Sequence, residues 1–356
     1  MGTRVRSYAK VNLGLAIGPA REDGFHGLVT LYQTLDLHDF VTVSARVSEE
    51  IKISLTSDHP RVPCDGRNTA WKMVEGALTR LEVTAEVAIH IEKRLPVQGG
   101  MGAGSANAAA ALIALERELG VALPEAERLA LAAEVGSDVP LFLVGGAVLG
   151  EGRGEVVSPM ADFAATACVV AIPAVGVSTP RAFREWDQRY AARHNASSNG
   201  IRYPGLTSGG GGDTLNELSR VYASVFREAE RLEAESGTSG IVREPAPDLI
   251  QGGISNGLAE NTLLELVRTG IENDFEEVVF SQYSSLREIK RQLMGMETGS
   301  PAVYAALSGS GSALFGLYRS TAEAQAAQQR VQASGVKALA TETLPRAEYW
   351  RRMIAG

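Results

Sequence analysis

The run from Lys93 to Leu115, KRLPVQGGMGAGSANAAAALIAL, constrains this chain more than any other stretch. It opens on Lys93, Arg94 and Pro96 and passes through Gly99, Gly100, Gly102 and Gly104, with Ala103 between the last two. It then enters an alanine-rich helical pattern that Gly120 stops. Glycine lets successive backbone N–H groups point one way with no side chain in between. A helix beginning at about Ser105 adds unpaired amides and the positive end of its dipole. Together these predict a seat for a phosphate chain; the plainer alternative is a tight glycine turn ahead of a core helix. Two familiar phosphate loops do not fit. Walker A needs Lys and then Ser or Thr after the last glycine, but Gly104 is followed by Ser105 and Ala106. The pattern G-x-G-x-x-G fails because Ser105 stands where its third glycine belongs.

A chain of 356 residues has room for two domains. Its 45% hydrophobic and 21% charged residues are those of an ordinary globular protein. The net charge of −8 argues against nucleic-acid binding while leaving room for a local basic pocket. Cys64 and Cys168, with no C-x-x-C, suggest reduced, buried thiols in a cytoplasmic setting. The five histidines lack metal-ligand spacing. No apolar run approaches the roughly 18 residues of a membrane span, and Val11–Ile17 is too short for a secretion signal.

Arg4–Ile17 alternates as a strand with one wet face, on which Lys10 and Asn12 lie together. Asp23-Gly24 signals a hairpin, with Phe25 and His26 opening the next strand. Asn68 is placed to cap a helix whose apolar stripe runs from Ala70 to Leu81. Val87–Lys93 alternates as a strand feeding the glycine loop. Further helices are expected over Ala106–Leu119, from Pro124 through Val135, from Asn273 to about Met296, and over Ser320–Ser334. Strands are expected over Ala167–Val177 and Val336–Thr341, and two more meet at the glycine turn Ser308–Ser312. Gly145-Gly146 and Gly150, Gly152 and Gly154 suggest hairpin turns. A domain boundary is expected near Pro159. Asn195–Gly200 and Ser208–Asp213 have linker composition, and a helical pattern returns over Leu215–Glu235.

Pro96, Gly100-Met101-Gly102-Ala103-Gly104-Ser105 and Asn107-Ala108-Ala109 resemble the P-x-x-x-G-L-G-G-G-S-S-x-A-A signature of the GHMP kinases, departing at Ala103 and Ala106. Gly136-Ser137-Asp138-Val139-Pro140 is similar to that family's G-A-D-V-P segment, and Ser308-Gly309-Ser310-Gly311-Ser312 to its S-G-T-G-S. The opening, A-K-V-N-L-G-L followed by D-G-F-H, resembles a branch whose substrate carries a cytidine diphosphate, with Phe25 in place of the usual Tyr. The resemblance covers residues 4–186 and 261–342.

It implies an α/β, two-lobed GHMP kinase fold. Residues 1–160 would form an N-terminal, ribosomal-protein-S5-like domain with a mixed sheet. Residues 161–356 would form a ferredoxin-like C-terminal domain with an insertion at about 187–260. It further implies phosphoryl transfer from ATP to an alcohol of a small substrate, in the non-mevalonate isoprenoid route. Asp138 would act as base and Lys10 would orient it. Lys93, Pro96, Gly100, Gly102, Ala103, Gly104, Ser105, Asn68, Gly309 and Gly311 would surround ATP. Mg2+ would lie near Ser105. Asn12, Phe25, His26, Thr179 and Phe183 would hold the cytidine-bearing substrate. No nucleic-acid or membrane partner is expected, and the chain would be a monomer or weak homodimer. Two other readings stay open: another GHMP alcohol or sugar kinase, and a catalytically silent nucleotide-binding homologue.

Overall fold

The structure, a computed structural model, describes residues 2–21, 24–97, 99–198 and 271–355. The predicted linker at 208–213, the helix at 215–235 and Asp23 of the predicted turn lie outside them.

Two sheets carry the molecule. The first contains β1 (Thr3–Ala20), β2 (His26–Val47), β3 (Lys52–Ser57), β4 (Ala85–Glu92), β5 (Ala147–Glu151) and β6 (Val156–Pro159), in the order β3-β4-β2-β5-β6 with β1 on β2. β3 and β4 run parallel and the other pairs antiparallel, so the sheet is mixed as expected. β2 is long enough to serve three partners. It pairs β1 along one edge, and shares the other between β5 at Thr30–Gln33 and β4 at Phe40–Val47. Helices α1 (Thr69–Leu81), α2 (Ala103–Leu119) and α3 (Glu125–Val135) cover this sheet. α2 approaches closely because its inner face is alanine: Ala106, Ala108, Ala109, Ala110, Ala111 and Ala114 are all buried.

The second sheet has the order β10-β7-β9-β8, from β7 (Ala167–Ile172), β8 (Tyr304–Leu307), β9 (Leu314–Tyr318) and β10 (Lys337–Glu342), with every pair antiparallel. Helices α4 (Thr179–Ser198), α5 (Phe275–Gln282), α6 (Ser284–Met294) and α7 (Thr321–Ala333) accompany it. Among the described residues β7 is followed by helices, then by β8 and β9, α7 and β10, and this order with an all-antiparallel sheet is the ferredoxin-like arrangement. α7 starts with the capping box of Ser320 and Glu323.

Several expectations need correction. β1 has no wet face, because α2 covers one side and the second lobe the other, so Ser7 to Ile17 are all buried. The helix expected from Asn273 to about Met296 starts at Phe275 and is two helices, broken where Tyr283 leaves helical geometry at φ −129° and ψ 77°. α2 begins at Ala103 rather than Ser105, with Gly102 at its N-cap. Cys64 is exposed; only Cys168 is buried. Residues 187–198 continue α4, so Asn195–Ser198 are helix where linker composition was read. The division at residue 160 is also incomplete. After β10 a further helix, α8 (Arg346–Met353), returns to the first lobe, where Tyr349 and Met353 join its core.

Candidate active site

A cleft of about 1100 Å³ lies between β1, β2 and the glycine loop on one side and α4 and the β8–β9 turn on the other. β1 supplies Lys10 and Asn12, buried at 2% exposure each. Lys10 Nζ donates to Asn12 Oδ1 at 2.6 Å, and Asn12 Nδ2 donates to Thr30 Oγ1 at 2.8 Å. Asn12 is thereby fixed and turns its oxygen to the lysine. The same Nζ lies 3.2 Å from Asp138 Oδ2, an ion pair whose acid side chain keeps 34% exposure to the cleft. Asp138 precedes a short 3-10 helix at Pro140–Leu143, whose Phe142 is fully buried. Tyr32 on β2 donates its hydroxyl to the other carboxylate oxygen, Oδ1, at 3.0 Å. Burial, and then the Asp138 charge, push the Tyr32 pKa well above the usual phenol value, so it stays a donor.

The glycine loop is tied to this group from two sides. Lys10 N donates to Met101 O at 3.1 Å. The β8–β9 turn grips the loop from the second lobe: Ala313 N donates to Gly99 O at 3.1 Å, and Ser308 Oγ to Gly100 O at 2.8 Å. A Cβ on Gly100 would stand 2.2 Å from Ser308 O, and its φ of +79° is glycine's own region. Gly99, Gly100, Gly309 and Gly311 face the cleft. Gly102, Ala103, Gly104 and Ser105 instead form the N-cap and first turn of α2, and no side chain caps that helix.

At the far end of the cleft lie Phe25, His26, Thr179 and Phe183. The His26 and Phe183 rings stack with centroids 4.7 Å apart and an interplanar angle of 13°. His26 Nε2 faces Asp187 Oδ1 at 2.7 Å, so the nitrogen opposite the carboxylate carries the proton. Phe25 is 51% exposed, with the Arg153 guanidinium 4.9 Å from its ring centre. Thr179 Oγ1 and Ser310 Oγ share a hydrogen bond of 2.6 Å, which ties the start of α4 to the β8–β9 turn within the second lobe.

Three expected cofactor residues stand elsewhere. Lys93 is neither mobile nor exposed: its ammonium is buried against the Asp39 carboxylate, which also accepts from Arg94 N and Leu95 N at 2.7 Å each. It anchors the entrance to the loop. Asn68 spends its side chain on Ala70 N and Pro63 O, as the cap of α1. Pro96 lies between that anchor and the glycines, outside the cleft lining. The paired glycines at 145 and 146 serve packing, since Cβ atoms there would meet Tyr349 at 2.4 Å and Asp162 at 2.3 Å. Sequence reasoning missed Tyr32, Arg153 and Asp187. For Asp187 a signal existed: Ala182, Phe183, Trp186 and Tyr190 repeat at helical spacing past residue 187.

The two lobes, the glycine loop at an uncapped helix start and the lysine-bound carboxylate thus meet around one cleft. Residues 68–146 match the GHMP kinases N terminal domain and residues 257–337 match GHMP kinases C terminal. The chain belongs to the GHMP kinase family. Among its relatives are 4-diphosphocytidyl-2-C-methyl-D-erythritol kinases. The one from a Nocardioides species is 44% identical over 188 residues, which is 52% of this chain and 63% of the relative. The one from Leifsonia xyli subsp. xyli is 39% identical over 209 residues, 58% of this chain and 67% of the relative. The chain thus spans about 63–67% of the length of the curated relatives. A crystal structure of a 4-(cytidine 5'-diphospho)-2C-methyl-D-erythritol kinase superposes with a TM-score of 0.62 at 26% identity, covering 96% of this chain and 98% of that one. A homoserine kinase from Cytophaga hutchinsonii, 18% identical, reaches the same TM-score of 0.62 and shows the shared fold. Among the described residues no helix is long and apolar enough to cross a membrane.

Proposed function

We propose that this protein transfers the γ-phosphoryl group of ATP to the 2-hydroxyl of 4-diphosphocytidyl-2-C-methyl-D-erythritol, in the non-mevalonate route to isoprenoids. The observation that carries the reading is one cleft holding both the Lys10–Asp138 pair and the Phe25, His26 and Phe183 rings. The first is chemistry for an alcohol; the second is a surface for a nucleobase. The named relatives support this choice of substrate.

In this reading Asp138 accepts the proton of the attacking hydroxyl. The Lys10 ammonium keeps the carboxylate turned toward the cleft and offsets charge on the moving phosphoryl group. The Gly99 and Gly100 amides and the uncapped first turn of α2 receive the ATP phosphates. Phe25 and Phe183 offer faces to the cytosine, and His26 its hydrogen-bonding edge.

Magnesium fits as an ion that arrives with the nucleotide. Among the described residues no group of three or more His, Cys, Asp or Glu could hold a metal. Mg2+ usually keeps several waters and leans on phosphate oxygens, needing one or two protein oxygens, which Asp138 and Ser105 can supply. When bound, it would neutralise charge on the phosphates.

The test uses the purified protein, ATP and the diphosphocytidyl substrate, with ADP release coupled to a reporter and product mass measured. Asp138→Asn should fold normally yet lose most of kcat, by roughly a hundredfold or more. Wild-type turnover in that variant, or no mass increase of one phosphoryl group with the wild type, would overturn the reading.

A further inference from the structure

We propose that Tyr32 is a positioning residue for the Asp138 carboxylate, and that Gly150 and Gly154 are glycines because Tyr32 needs their space. The mechanistic part rests on the phosphotransfer reading above.

The carboxylate of Asp138 is held by its two oxygens from two adjacent strands. Lys10 on β1 takes Oδ2 at 3.2 Å and Tyr32 on β2 takes Oδ1 at 3.0 Å. With only one of these donors, the carboxylate could turn about its last torsion while keeping its remaining partner. Both together fix its plane. Neither donor has freedom of its own, since Lys10 is bound to Asn12 and Tyr32 is 2% exposed.

The packing around the phenol accounts for a glycine pattern that turn geometry leaves half explained. Gly152 and Gly154 have φ of +74° and +100°, which a hairpin tip requires. Gly150 has no such backbone need. It lies on β5 opposite Thr30, and a Cβ there would fall 2.5 Å from Tyr32 Cε2. A Cβ on Gly154 would fall 2.4 Å from the Tyr32 hydroxyl oxygen. The β5–β6 hairpin therefore approaches the tyrosine without side chains, on the ring edge and at the hydroxyl. Any larger residue at 150 would push the ring, and with it the donor, off the carboxylate.

Three measurements test this. Tyr32→Phe keeps the ring and removes the donor. Its kcat should fall roughly tenfold, with KM for ATP and for the cytidine substrate nearly unchanged. In an Asp138→Asn background the same change should have little further effect, because the two side chains act as one unit; loss of packing alone would carry the full drop into both backgrounds. The third readout needs no turnover. With tyrosine labelled at the ζ carbon, the NMR signal missing from Tyr32→Phe should shift in Asp138→Asn of the free protein. Wild-type kcat in Tyr32→Phe, an equal drop in both backgrounds, or an unmoved ζ-carbon signal would each overturn the proposal. If the signal moves while no diphosphocytidyl substrate is phosphorylated, the contact stands and the reaction assigned to the site is what fails.

Discussion

Lys93 shows what burial does to a functional reading. In the sequence it is a lysine beside a phosphate loop, and a cation there reads as a nucleotide ligand. In the fold its side chain is 4% exposed and Asp39 is fully buried, so each charge is the other's solvent. Removing one partner of such a pair leaves an uncompensated charge indoors, at about 3–5 kcal/mol. Lys93→Met should therefore lower the urea midpoint by an amount equivalent to about 3 kcal/mol or more. Lys93→Met with Asp39→Leu should recover part of that loss. A lysine whose task was to hold ATP would behave oppositely, with unchanged stability and a raised KM for ATP. Nothing local in K-R-L-P distinguishes the two tasks. The distinction comes from Asp39, which β2 brings across from 54 residues away.

At the scale of elements, the sequence was most legible where one segment carries its own punctuation. The cap at Asn68, the stop at Gly120 and the helix expected to open at Ser320 each stand where the residues placed them. It was less legible where strands choose partners. Counting back from the β1–β2 turn, Ala20 pairs with His26, and an even register would set Thr34 opposite Asn12. Two register shifts, between Ile17 and Ala20 and between Asn12 and Gly14, put Tyr32 there instead. Each shift reverses the faces and two restore them, so the periodicity survives while the partner changes. Tyr32 therefore could not be set beside Asp138 by counting along the strands, whereas the pairing of Lys10 with Asp138 was expected from the family resemblance. The contact between the glycine loop and the β8–β9 turn is also an element-level feature. Gly100→Ala would require an L side chain at φ +79° and a Cβ 2.2 Å from a backbone oxygen. The neighbour is backbone and cannot rotate away, so the two loops must part. The expected cost is about 2 kcal/mol or more, read as a lowered Tm, together with a raised KM for ATP. A variant with wild-type Tm would show that the lobes do not meet there.

Across the whole molecule, the last described segment ties the lobes together and reaches the turn behind Asp138. Thr343 N donates to Thr166 O and Leu344 N to Thr34 O, so the chain leaves β10 already bound to both lobes. α8 then lays Tyr349 over Gly145, and the Tyr349 hydroxyl donates to Phe142 O at 2.6 Å. Phe142 belongs to the 3-10 turn that follows Asp138, and its ring would lie 2.9 Å from a Cβ on Gly102, the N-cap of α2. One tyrosine thus braces the turn that follows Asp138, whose Phe142 packs on the start of α2. Tyr349→Phe leaves the ring in place and strands a buried carbonyl, at about 1–3 kcal/mol. The loss should appear in urea unfolding. Because the stranded group sits in the turn behind Asp138, kcat should also fall by roughly a fewfold while the KM values hold, since small misplacement of a reacting group acts on the chemical step. An equal stability loss with kcat untouched would mean that α8 supports the fold of the first lobe without aligning its carboxylate.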